Sequence, residues 1–379
     1  MFDYIATPAE LQTLLIDLSD AQWVVLDTEF IREKTYYPQL CLIQLATEKR
    51  LACIDPLAIA DLTPLFTWLH QPTLLKIFHA ASQDLEIFYH LSKQVPAPVF
   101  DTQIAAAVLG LGDQLGYGRL VETLLGVNLD KSQSRTDWSA RPLRHEQLEY
   151  AIDDVRYLKQ IYPLLQQQLK TLQRDQWVFK SFAKLTDPNT YEVDIRGTWK
   201  RVKNSQLLKP QQLSVLRELA AWRESEALHK NLPKRWLISD EILVDMARMR
   251  IQKIEDFRNI RGLKEETIQQ QGSQWLKLIQ MGMKLPAEEW PQPTRRRTLD
   301  AELALLTDLL MLVVGQQALQ YNISPQMLAT RPQIEKMLIE QRTSLSEDWR
   351  GSILNDVFAD LLAGKKTIAV KQQKVFLQD

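Results

Sequence analysis

The run WVVLDTEF (23–30) constrains this chain more than any other segment. It is apolar, rich in β-branched residues and bounded by polar ones, so it reads as a strand, and its end carries two acids, Asp27 and Glu29. LCLIQLAT (40–47), RLACIDP (50–56) and LLKIFHA (74–80) have the same character. Helical patterns begin near Thr7, with Pro8 at a first helical position, and near Asp61, Ser82, Asp101 and His145. A helix, three strands and then mixed elements predict an α/β layer fold with a partly antiparallel sheet.

Side chains two apart on a strand share one face, so Asp27 and Glu29 converge. Two such charges repel and raise a pKa, a conflict that a divalent cation removes. Read alone, a D-x-E pair fits two solvated residues just as well. Tyr150 and Asp154 are four apart on an expected helix, hence on one face with Glu146, whereas Asp153 points about 100° away. A core tyrosine beside an exposed acid would give the same spacing. Asp84 lies just inside a helix that Ser82 can cap, where an acid also suits the helix dipole. His79 reads as a hydrogen-bonding residue before that helix, with a catalytic role as the alternative. Jointly, four acids from three elements offer what phosphodiester cleavage by two metals needs, and hard cations such as Mg²⁺ take oxygen ligands.

The 379 residues suit two or three domains, and 45% apolar with 25% charged residues is ordinary globular composition. Cys41 and Cys53 lie in strand-like runs and read as buried small hydrophobes rather than a disulfide or metal pair. MFDYIATPAELQTLL lacks the pattern of a signal peptide, and no apolar run approaches the roughly 18 residues of a membrane span, so no membrane association and a cytoplasmic setting are expected. The net charge of −1 hides an asymmetry. Residues 1–170 carry 14 Lys+Arg and 21 Asp+Glu, the remainder 32 and 26. An acidic front half suits cations, and a basic back half suits a polyanion.

Residues 1–170 are therefore expected to form one α/β domain. Residues 171–207 read as a linker. Amphipathic segments across 208–287 predict a small helical bundle. LPAEEWPQPTRRR (285–297) reads as a second linker, and 295–379 as a second helical bundle, giving two small all-α units after the α/β domain.

DTEF, the H-x-x-x-x-D-L run of 79–85 and Y-x-x-x-D at 150–154 resemble the three exonuclease motifs of the DEDD superfamily, tyrosine subgroup. FDTQIAAAVLG (100–110) and TDWSARPL (136–143) resemble the ribonuclease D family within it. LRELAAWRESEALHKNLPKRWLISDEILVDMA (216–247) is similar to the helicase-and-ribonuclease-D C-terminal (HRDC) domain, a helical nucleic-acid-binding module. The resemblance implies a ribonuclease-H-like mixed-sheet exonuclease domain followed by HRDC and a second HRDC-like module. It implies a 3′–5′ exoribonuclease that uses two Mg²⁺ or Mn²⁺, releases nucleoside 5′-monophosphates and trims precursor tRNA or other structured RNA. Asp27 would bridge both metals, Glu29 and Asp154 would complete the coordination of the first metal, and Asp84 would hold the second ion through water. Tyr150 would orient the attacking water.

Contacts to nucleic acid are expected from Phe30, which suits base stacking or the core equally, and from Arg135 and Arg141, which with Arg144 flank Trp138 and fit a salt-bridged surface loop just as well. Lys230, Lys234 and Arg235 are the candidates in the helical module. Arg295, Arg296 and Arg297 fit either a contact or a solvated linker. A monomer is the simplest assembly. A 3′–5′ DNA exonuclease and a non-catalytic RNA-binding scaffold remain as alternatives, because the motifs do not distinguish the sugar.

Overall fold

A computed structural model describes residues 2–130, 133, 136–292 and 299–378, so Arg135 and the triplet Arg295, Arg296 and Arg297 lie outside the described residues. The chain divides into two compact units: Met1–Ile31, Leu40–Tyr191 and Thr298–Asp379 in one, Arg32–Gln39 and Glu192–Arg297 in the other.

The first unit opens with β1 (Asp3–Ile5), α1 (Pro8–Asp17), β2 (Trp23–Ile31), β3 (Gln39–Ala46) and β4 (Leu51–Ile54). Next come α2 (Thr63–Leu69), β5 (Leu75–Phe78), α3 (Ser82–Ser92), β6 (Val99–Asp101), α4 (Thr102–Val108), α5 (Tyr117–Leu125), α6 (His145–Arg156), α7 (Leu158–Thr171) and α8 (Asp175–Thr186). The six strands form one mixed sheet in the order β1-β4-β3-β2-β5-β6. β3 and β4 are antiparallel, while β1–β4, β2–β5 and β5–β6 are parallel. Helices cover both faces, as parallel pairing requires. One layer packs α4–α8 on Val25, Cys41, Leu42 and Ile77. The other packs α1–α3 on Val24, Leu26, Ile43, Leu45 and Phe78.

Thr7 caps α1 as a capping box with Glu10. The expectation at α3 is corrected: Ser82 is not its cap, and the Asp101 carboxylate accepts from the Ala81 N–H (2.9 Å) while also capping α4 through Gln103 and Ile104. Lys76 is fully buried on β5, where its ammonium donates to the carbonyls of Gln71, Leu74 and Ala97, and burial pulls its pKa down to about 8.

The interval 171–207, expected as a linker, carries α8, whose Val178 joins the core. α8 also carries Trp177, which stacks on Trp349 at 4.1 Å between centroids. Arg174 donates to the carbonyls of Val108 and Tyr321, both at 2.7 Å. These contacts explain why the C-terminal segment belongs to the first unit.

In the second unit, α9 (Pro210–Lys230), α10 (Lys234–Leu237), α11 (Asp240–Arg248) and α12 (Glu265–Lys284) surround a core of Leu219, Trp222, Phe257 and Trp275. A Cβ on Gly282 would stand 2.6 Å from Val215 Cα, so only glycine lets α12 approach α9 this closely. The segment between β2 and β3 belongs here: the Asn231 side-chain carbonyl accepts from the N–H groups of Tyr36 and Tyr37 (3.1 Å each), and the Tyr36 hydroxyl donates to Glu224.

The last part of the first unit is α13 (Ala301–Tyr321), α14 (Pro325–Leu328), α15 (Arg331–Ile339) and α16 (Trp349–Leu362), followed by β7 (Thr367–Lys371) and β8 (Lys374–Gln378). The terminal antiparallel hairpin was not anticipated in a module read as all helical. α13 is the one helix among the described residues long and apolar enough to cross a membrane by length and composition, although Glu302, Thr307 and Asp308 interrupt its apolar run. Its Leu310, Val313, Val314 and Ala318 pack against α15 and α16.

Arg141 is corrected from a nucleic-acid contact to an internal brace. Its guanidinium holds Asp55 through Nε and Nη2 (2.6 and 2.8 Å) and donates to the carbonyls of Cys41, Trp138 and Ala140. The Asp55 side chain is 2% exposed. Arg141→Ala leaves that carboxylate without its cationic partner, held by the Tyr4 hydroxyl and the N–H groups of Leu57 and Ala58, and urea unfolding should show a loss of about 3 kcal/mol. A direct RNA contact would instead weaken binding and leave stability unchanged.

Candidate metal centre

Strand alternation builds this site. Val25 faces the layer of α4–α8, and Val24 and Leu26 face that of α1–α3. The same period sends Asp27 and Glu29 toward α6, and Thr28 and Phe30 toward α3. On α6, Asp154 meets the strand. Carboxylate oxygens of Asp27, Glu29 and Asp154 all lie within 4.8 Å of one another, the one such convergence of three ligating side chains among the described residues.

Asp84 arrives from the opposite layer. It is buried on α3, and the buried Thr28 hydroxyl donates to its Oδ1. Its charge acts on Asp27, Glu29 and Asp154, so it belongs to the same electrostatic group. Tyr150 lies one turn before Asp154, half-buried, with its ring 6.2 Å from that of the buried Trp138. Burial and the charges of Asp154, Glu29 and Asp27 push its phenol upward, so it stays a protonated donor.

Burial first, and then mutual repulsion, decides the carboxyl chemistry. Asp27 is held well above the usual carboxylate range by burial, Asp154, Asp84 and Glu29. Burial and the charges of Asp154 and Asp84 push Glu29 up to about 8. Asp154 rises to about 7 through burial, Asp153 and Asp84. Asp84 rises to about 7 through burial, against the opposing Thr28 hydrogen bond. Carboxyls that cannot ionise together without countercharge, converging from three elements, fit divalent cations.

Asp153, the rival of Asp154, is committed to an ion pair with Arg156. His79 has Nδ1 3.0 Å from the Thr102 hydroxyl and packs edge-on against Tyr117 at 5.6 Å. Sequence reasoning missed three supports: Thr28 behind Asp84, Trp138 under Tyr150, and Tyr117, whose hydroxyl donates to the Asp153 carbonyl (2.7 Å) and so ties α5 to α6 beside Asp154. Thr28 sits inside the D-T-E run, but its role depends on a partner 56 residues away.

The expected nucleic-acid contacts divide. Phe30 is half-buried against the α1–α3 core. Lys230 pairs with Glu226 at 2.9 Å, and Lys234 with Glu224 at 3.2 Å. Arg235 is exposed and makes no ion pair among the described residues, beside a Trp236 that is 60% exposed.

Residues 2–170 match a 3′–5′ exonuclease family model, and residues 212–279 match the HRDC domain. Ribonuclease D of Bartonella henselae is 36% identical over 96% of this chain and 91% of its own. Ribonuclease D of Zymomonas mobilis is 38% identical over 98% and 96%. The chain belongs to the ribonuclease D family. The crystal structure of Escherichia coli RNase D, an exoribonuclease involved in structured RNA processing, superposes with a TM-score of 0.84 at 32% identity, covering 96% of this chain and 99% of that one. Membership makes the chain a hydrolase of the 3′–5′ exoribonuclease class with the ribonuclease-H-like fold, and it brings divalent-metal dependence and RNA binding.

The raised carboxyls carry a pH signature. A carboxyl whose folded pKa exceeds its unfolded value stabilises the fold at low pH, and that contribution is lost as pH rises through the folded value. In the presence of a chelator, Asp154→Asn should therefore lose less thermal stability than the parent between pH 6 and pH 8. Adding Mn²⁺ should raise the parent's Tm more at pH 8 than at pH 6. Parallel melting curves with no difference between the two proteins would refute the electrostatic account.

Proposed function

We propose that this enzyme removes nucleotides one at a time from RNA 3′ ends, releases 5′-monophosphates, and does so with two divalent cations, Mg²⁺ or Mn²⁺. The observation that carries the reading is the convergence of Asp27, Glu29 and Asp154 within 4.8 Å, with Asp84 acting on the same group from the opposite layer. Asp27 would serve both cations, Glu29 and Asp154 one of them, and Asp84 the other. Bound there, the cations would neutralise the carboxylates, activate water and stabilise the departing 3′ oxygen.

The chain's own groups do the positioning. The Tyr150 phenol, kept protonated, holds the attacking water through a hydrogen bond one helical turn from Asp154. Trp138 supports the Tyr150 ring from behind. Thr28 and Tyr117 hold the two helices whose acids must meet β2.

Precursor tRNA and other structured RNAs with short 3′ tails are the proposed substrates. The excess of basic residues after position 170 and the HRDC match support a grip on the folded body. Arg235 and Trp236 offer a cation and a ring there. Working as a monomer is proposed because one chain carries every named group. A cytoplasmic setting suits two buried thiols, Cys41 and Cys53, that form no disulfide.

Asp27→Asn and Asp154→Asn should each cut turnover by on the order of 100-fold or more while RNA affinity, measured without metal, stays close to the parent's. Tyr150→Phe should slow turnover by roughly 100-fold without lowering Tm. Digesting matched RNA and DNA strands side by side tests the sugar, and faster loss of DNA would overturn the choice of substrate.

A further inference from the structure

We propose that the C-terminal hairpin β7–β8 is a separate RNA-contact surface, with Phe376 as a base-stacking platform and Lys371 and Lys374 as phosphate contacts. This deepens the RNA-trimming reading and rests on it.

Register decides which side chains share a face. Ile368 pairs with Leu377, and both pack against the core of α13–α16. One residue out of phase, Ala369 pairs with Phe376, and Lys371 with Lys374. The period of two therefore puts Ala369, Lys371, Lys374 and Phe376 together on the face turned from that core. Phe376 is 44% exposed, and its cross-strand neighbour is the small Ala369. An exposed ring opposite a methyl has no bulky side chain directly across the strands.

The lysines are placed against their own electrostatic interest. Lys371 and Lys374 face each other across the strands, where like charges destabilise a sheet. Both are exposed, and neither makes an ion pair among the described residues. The charge distribution singles out this element. Residues 299–363 contain 4 Lys+Arg and 9 Asp+Glu, whereas residues 364–378 contain four lysines and no acid. Lys365 and Lys366 precede β7 and pair with Asp360, so the hairpin itself carries two cations, Lys371 and Lys374, which suits a polyanion approaching it. A ring flanked by two cations suits single-stranded RNA, because stacking takes any base and the cations take the phosphates.

The test is anisotropy of the full chain with a fluorescein-labelled RNA stem bearing a single-stranded 3′ tail, in EDTA, across a salt series. Replacing both lysines (Lys371→Gln with Lys374→Gln) should weaken binding and flatten the slope of log affinity against log salt by about 1.4, the value for two single-strand phosphates. Phe376→Ala should weaken affinity on the order of 5- to 100-fold, and Phe376→Trp should restore it. These side chains lie off the packed face, so Tm should match the parent's. Parental affinity and slope in the lysine variant, with the parent binding and shortening the RNA, would overturn the hairpin proposal alone. That result would leave the surface to a protein partner. A parent that neither binds nor shortens the RNA would instead defeat the trimming reading. A Phe376→Trp variant as weak as Phe376→Ala would overturn the stacking role.

Discussion

The crowding of carboxyls into a site poor in water is the constraint on which this structure turns. Asp27 and Glu29 project from one face of β2, and Asp154 is brought against them by α6. Left to themselves, such groups separate or take up protons. The frame prevents separation: β2 is flanked by β3 and β5 within a six-stranded sheet and packed by helices on both faces. Thr28 and Tyr117 pull the neighbouring helices into place with single hydrogen bonds. The fold holds an electrostatic conflict that a doubly charged ion would resolve, and a site prepared in this way would need little reorganisation on binding one.

The cations bonded inside the first unit behave in the opposite way. Arg141, Lys76 and Arg174 spend their donors on internal oxygens: a carboxylate and three carbonyls for the first, three carbonyls for the second, two for the third. Each closes a gap between elements that are distant in sequence. Arg174, with the Trp177–Trp349 stack, joins the C-terminal helices to the α/β layers. A basic residue near an aromatic is thus as apt to be a brace as a contact, and its hydrogen bonds decide between the two.

The sheet and the acids were legible because their signals are local. WVVLDTEF carries its strand period and its two acids together, and Y-x-x-x-D carries its own helical spacing. What stayed hidden depends on partners far away. Arg141 looks like a surface cation until Asp55 appears, 86 residues earlier. Residues 171–207 look like a linker because Trp177 finds Trp349 only in three dimensions. The hairpin was missed for a chemical reason. Its turn is Gln372–Gln373, both at positive φ (50° and 61°), where Asn-Gly is the usual signal. Lys230 and Lys234 pair with Glu226 and Glu224, partners that a reading of HKNLPKRW alone does not supply.

The short bridge between β2 and β3 has a consequence for where the molecule can be cut. Tyr36 and Tyr37 rest on Asn231 and Glu224, so this bridge finds its supports nearly two hundred positions downstream. A fragment ending at Tyr191 would keep all four acids, yet it would strand those two aromatic rings a few residues beyond Glu29. The smallest piece that retains its native neighbours is therefore longer than the stretch bearing the acids.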